Sequence, residues 1–103
     1  MTKEEILALE AGIKLDTIVA TEIFKVIYSQ GQPYYSTDIS AAWQVEERMK
    51  ELELMKDYAD ELAFLVLHPL GYDISAMEQV FAAAHASPEI RCKAALLAKL
   101  EGD

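Results

Sequence analysis

Apolar residues recur at helical spacing through the first half of this chain and bunch into short runs through the second. Ile6, Leu7 and Leu9 form a short stripe, and Leu15, Ile18, Val19, Ile23, Val26 and Ile27 continue the pattern beyond Gly12. Thr2 with Glu5 has the spacing of a capping box, which predicts a helix starting at Lys3. Gly12 either separates two helices or sits inside one long helix at a cost of about 1 kcal/mol; a kink there is the expectation. Ser29-Gln30-Gly31-Gln32-Pro33 reads as a connector. A second helix is predicted from about Asp38 to Leu52, with Ile39, Ala42, Val45, Met49 and Leu52 on one face. Its end is open, because Leu54, Met55, Tyr58 and Ala59 extend the pattern.

Leu62 to Leu67 is the longest uninterrupted apolar run, and with Pro69 close behind it reads as a buried strand. Pro69 to Asp73 carries turn residues, and Met77 to Ala84 is the expected partner strand, although its alanine run also suits a helix. Ser87-Pro88-Glu89 supplies an N-cap, a proline at the first helical position and an acid in the first turn. The closing helix it opens turns Ile90, Ala94, Leu96, Leu97 and Leu100 toward the core. The expected fold is therefore α+β: a compact single-domain sandwich over residues 1–103, with N-terminal helices, a β-hairpin or small antiparallel sheet, and a C-terminal helix.

Composition narrows the partners more than the fold. The 103 residues, 52% of them hydrophobic, suffice for one core. No apolar run approaches the roughly 20 residues of a membrane span. The charged opening Met1-Thr2-Lys3-Glu4-Glu5 does not resemble a signal peptide. The single Cys92 suits a reducing compartment, so a cytoplasmic protein is expected. A net charge of −9 repels duplex nucleic acid. Seven carboxylates between Glu46 and Glu61 face only Arg48, Lys50 and Lys56. His68 and His85 have no companion ligands at metal spacing, and phosphate-loop and nucleophile-elbow patterns are missing. A non-enzymatic protein without metal or cofactor is expected.

Three blocks of residues resemble a known family. Leu7-Ala8-Leu9-Glu10-Ala11-Gly12 with Leu15-Asp16 looks like its opening. Tyr35-Ser36-Thr37-Asp38-Ile39, Ala41-Ala42-Trp43 and Val45-Glu46 resemble its central motif. Ala84 to Ala98, with Ser87-Pro88, Cys92 and Ala94-Ala95-Leu96-Leu97-Ala98, resembles its closing helix. The family is the phage α-β-α sandwich domain, small proteins of Bacillus-type phages and prophages. The resemblance implies phage origin, action inside the infected or lysogenic host cell, and a sandwich fold. Where the family usually has a cysteine-arginine pair, this chain has Cys92-Lys93, and lysine cannot form arginine's planar fork.

The candidate ligand-binding residues are Tyr34, Tyr35, Ser36, Thr37, Asp38 and Trp43, around the start of the second helix, with Arg91 and Lys93 on the last. A helix N-terminus presents unpaired N–H donors to an anion, and tyrosines beside it could stack on a base. The competing reading is that Ser36 or Thr37 caps the helix, Tyr35 and Trp43 fill the core, and Arg91 and Lys93 form ion pairs. Two residues apart on a helix, those cations diverge by roughly 200°, so one small site within one subunit cannot use both. The leading functional expectation is a sponge for a nucleotide-derived host immune signal, with its pocket between subunits of a homo-oligomer. The alternative is an acidic protein-binding module that inhibits or redirects a host or phage protein. On the sponge reading, Tyr35→Ala with Arg91→Ala abolishes ligand capture, measured by native mass spectrometry, with little loss of folding.

Overall fold

A computed structural model describes residues 1–28, 31–67 and 75–102. They form six helices: α1 (Lys3–Ala8), α2 (Ile13–Glu22), α3 (Ile39–Glu51), α4 (Met55–Leu67), α5 (Ala76–Ala84) and α6 (Pro88–Gly102). No strand occurs among the described residues, which overturns the expected α+β sandwich and its hairpin. Leu62–Leu67 is the second half of α4, and Met77–Ala84 lies within α5. The physical reason lies in residue type and caps. Leu, Ala and Phe dominate the first run, with Val66 its one β-branched residue, and the second is rich in Ala with only Val80 branched. Tyr58, Glu61 and Leu62 bury one face of α4 at helical spacing. Ser75 and Glu78 close a capping box at the start of α5. The turn expected over Pro69–Asp73, and His68 with it, lies outside the described residues.

Other boundaries follow local signals. Thr2 and Glu5 form the predicted capping box of α1. Gly12 separates two helices rather than bending one: it is the N-cap of α2 at φ 143°, a region that only glycine enters freely. Helix α2 ends at Glu22, five residues short of the apolar pattern that runs to Ile27. Lys25 takes a left-handed φ of 57°, the Val26 N–H donates to the Ala20 carbonyl at 3.1 Å, and Val26 and Ile27 turn outward. The α3–α4 corner is a Schellman turn. Glu53, at φ 59°, donates its N–H to Lys50 O at 3.1 Å, and Leu54 donates to Met49 O at 2.9 Å.

The core is organised around α6, which packs against α1, α2, α3 and α4. Every residue from Arg91 to Ala98 is buried, so α6 presents no solvent face over two turns, where the sequence suggested a one-sided helix. Ala94, Ala95 and Ala98 let neighbouring helices approach closely. Leu15, Val19, Ile23, Val45, Met49 and Tyr58 fill the spaces between them.

One carboxylate is poorly placed in this core. Glu61 of α4, 9% exposed, faces Glu101 at the end of α6. Burial first and Glu101 second push its pKa up to about 7, against a small opposing pull from Lys3. Its folded pKa lies above its unfolded one, so the stability it allows is fully present below about pH 4.5. That stability is lost as pH rises through about 7. Glu61→Gln should therefore be more stable than wild type at pH 8, with the advantage vanishing at pH 4. Thermal melts of both proteins at the two pH values check this; an advantage equal at both would refute it.

Candidate functional site

The segment leading into α3 is anchored from beneath by α2. Asp16, 1% exposed on the first turn of α2, accepts two hydrogen bonds on Oδ1: the Ser36 N–H at 2.8 Å and the Ser36 hydroxyl at 2.6 Å. The same hydroxyl accepts the Gly12 N–H at 2.9 Å. Ser36 thus has its donor and acceptor capacity engaged inside the molecule. The cap of α3 is Asp38, whose carboxylate accepts the Ser40 N–H at 2.9 Å, and neither Ser36 nor Thr37 serves there. Tyr35 follows Ser36 inward. It is 1% exposed, its ring stacks on Phe24 at 5.1 Å, and its hydroxyl lies 3.3 Å from that of Tyr28. Burial, then the Tyr28 hydroxyl, push its pKa well above the usual tyrosine value.

Arg91 and Lys93 are likewise engaged. The Arg91 guanidinium donates from Nη1 to Glu46 Oε2 at 2.7 Å, from Nε to Ala86 O at 2.9 Å and from Nη2 to Ala84 O at 2.9 Å. Glu46 Oε2 also accepts the Tyr58 hydroxyl at 2.6 Å. Lys93 points elsewhere: its Nζ reaches the Leu7 carbonyl at 3.2 Å, in the last turn of α1, and Glu89 at 3.4 Å. Glu89 in turn accepts the Ala11 N–H at 3.1 Å. The divergence expected of residues two apart on a helix is realised: one cation serves α3 and the end of α5, the other the end of α1.

The eight candidate residues therefore divide. Tyr35, Ser36, Arg91 and Lys93 are buried, and their polar atoms bind protein. Tyr34, Thr37, Asp38 and Trp43 are exposed along one stretch of chain, with Tyr34 at 66% and Trp43 at 56%. Trp43 was expected in a core or at a ligand; it stands on the outer face of α3, one turn beyond the half-exposed Ile39. Cys92 is buried, and its thiol is pushed up to about 12 by burial and by the charges of Asp16 and Glu89. It stays protonated and is no nucleophile. No group of His, Cys, Asp and Glu able to hold a metal occurs among the described residues. Nor is any helix there long and apolar enough to cross a membrane.

The clamp at Gly12, Asp16 and Ser36, the aromatic approach to α3 and the buried stretch of α6 are the parts that carried the resemblance. A family model, the Phage ABA sandwich domain, matches residues 12–96. The chain belongs to the Phage ABA sandwich domain family. No curated protein and no solved structure matches it. In this phage protein the family region runs from the N-cap of α2 into α6 and leaves α1 outside. The family name describes a sandwich with a β layer, whereas α4 and α5 of this member are helical.

One apolar surface escaped the residue-by-residue reading. Met77, Val80 and Phe81 of α5 are 80%, 68% and 64% exposed. Their spacing with Ala84 is i, i+3, i+4, i+7, which marks a helical face once α5 is no longer taken for a strand.

Arg91 tests whether these ties are structural. The expected folding of a Tyr35→Ala, Arg91→Ala variant does not fit side chains buried to this degree. Arg91→Ala alone should lower the unfolding free energy by about 3–5 kcal/mol, because it leaves Glu46 without its cation and two carbonyls without their donor. Arg91→Lys should recover only part of that loss, since one ammonium cannot reach three acceptors in fork geometry. Urea titrations measure both; a wild-type midpoint in either variant would remove Arg91 from this role.

Proposed function

We propose that this phage protein acts stoichiometrically, as a protein-binding module that docks on a host or phage protein through Tyr34, Ile39 and Trp43. The observation that carries the reading is the exposure of Trp43 and Tyr34, at 56% and 66%, beside cations that are committed internally. Exposed tryptophan and tyrosine are the residue types that anchor protein interfaces. Glu47 and Glu51 continue the outer side of α3 at one and two turns past Trp43. They lie in exposed pairs with Lys50 at 3.5 Å and Arg48 at 3.0 Å, and such surface pairs contribute little. Basic side chains of a partner can replace those lysine and arginine contacts, which would speed encounter and set orientation. Inhibition or redirection of the partner would then follow from occupancy alone.

A second reading keeps the nucleotide sponge. Two exposed rings flanking a helix start can stack a base, and this observation favours it. Against it, Arg91 and Lys93 are unavailable to hold a phosphate.

One experiment separates the two. The tagged protein is purified from phage-infected cells and analysed by native mass spectrometry beside its Tyr34→Ala, Trp43→Ala variant. A protein partner bound by wild type and lost by the variant, with stability unchanged within about 0.5 kcal/mol, is the expected result. A nucleotide-sized adduct lost in the same way would favour the sponge. Partner binding unaffected by the double substitution would sink the assignment of this face.

A further inference from the structure

Glu61 lies on the buried side of α4, and the side chain it hydrogen-bonds is Glu101, in the last turn of α6. Neither takes part in an ion pair among the described residues. The charges that face Glu61 come from three helices. Glu101 approaches from α6 and Asp60 from α4 itself, both negative. Lys3 of α1 is the cation among them, and its ammonium sits over the Phe64 ring, 5.3 Å from the ring centre. Lys99, the basic residue in the last turn of α6, lines a recess with Ile6 of α1 and Glu22 of α2.

Two touching carboxylates, one of them buried, cannot both ionise without strong repulsion. Glu101 also stands at the negative end of the α6 dipole, where a further negative charge is disfavoured. One proton shared by the two groups removes the repulsion and turns it into a hydrogen bond. The position of the pair gives that proton leverage. Residues 91–98 of α6 are buried, whereas residues 99–102 are half-buried or exposed, so this turn has few other ties. Its second tie is close packing: a Cβ at Gly102 would lie 2.6 Å from Leu54 Cδ2, at the corner between α3 and α4.

We propose that Glu61 and Glu101 form a proton-operated clasp. While the pair shares a proton, residues 99–102 of α6 are held against α4 and Leu54; when it loses that proton, the turn unwinds. Burial first, then Glu101, push the Glu61 pKa up to about 7. The clasp is therefore closed below that pH and opens as pH rises through it. Unwinding stops at Ala98, because the buried run upstream is fixed by Arg91 and Lys93. Opening uncovers Leu54 and leaves the rest of the core in place. The clasp goes beyond the docking reading above and involves neither Tyr34 nor Trp43.

An NMR titration of the isotope-labelled full chain, from about pH 4 to about pH 9, tests the proposal. The Glu61 side-chain carboxyl carbon should titrate with a midpoint near 7. The Cα shifts of residues 99–102 should move from helical to coil values at the same midpoint. Glu101 is exposed, so Glu101→Gln should fold as wild type does. That variant should weaken the hold of Glu61 on its proton at least about threefold and keep residues 99–102 helical at about pH 8. Burial alone would leave the Glu61 midpoint the same in Glu101→Gln as in wild type. That result, a Glu61 midpoint near the ordinary 4.5, or residues 99–102 staying helical through the Glu61 midpoint would each overturn the proposal.

Discussion

A helix buried on every side must place any charge it carries against a neighbour, and α6 carries two such charges. Arg91 and Lys93 lie within the buried run from Arg91 to Ala98, where an unpaired ion would be costly. Arg91 meets that demand with Glu46 and two carbonyls, fixing α3 and the end of α5 to α6. Lys93 meets it with Leu7 O and Glu89, fixing the last turn of α1. The alanines between them allow close approach, so the same helix that demands partners also brings them near. Charge satisfaction and packing therefore reinforce one another.

This arrangement has a direct functional consequence. Side chains that look on paper like a phosphate clamp are consumed by the fold, as is Ser36 at its junction with Asp16 and Gly12. Large apolar and aromatic side chains remain outside, among them Tyr34, Ile39 and Trp43 around the start of α3 and the stripe on α5. On the proposed reading the α3 surface is the one that meets another chain, where large rigid side chains supply contact area. The acidic run from Glu46 to Glu61 is also less bare than its composition suggests. Glu46 pairs with Arg91, Glu47 with Lys50, Glu51 with Arg48 and Asp60 with Lys56.

Some elements were legible because their signals are local. The capping box at Thr2 and Glu5, proline at the first position of α6, glycine at the start of α2 and the stripe from Ile39 to Met49 each act within one or two turns. Other elements were misread because an apolar run of six residues is compatible with a buried strand or with half of a helix. The extension of Leu62–Leu67 back through Tyr58 settled that choice, and it depended on where α3 ended. That end is a left-handed Glu53, where glycine would be the usual signal.

By itself the sequence determined the family, most helix starts and the divergence of Arg91 from Lys93, because these follow from spacing, caps and residue type. Tertiary structure decided which polar residues face inward. Tyr34 and Tyr35 are neighbours of one chemical kind, and only the Asp16 anchor beneath Ser36 sends Tyr35 into the core and leaves Tyr34 outside. It decided equally that the apolar stripe of α5 meets solvent, since periodicity reveals a face but not what lies opposite it.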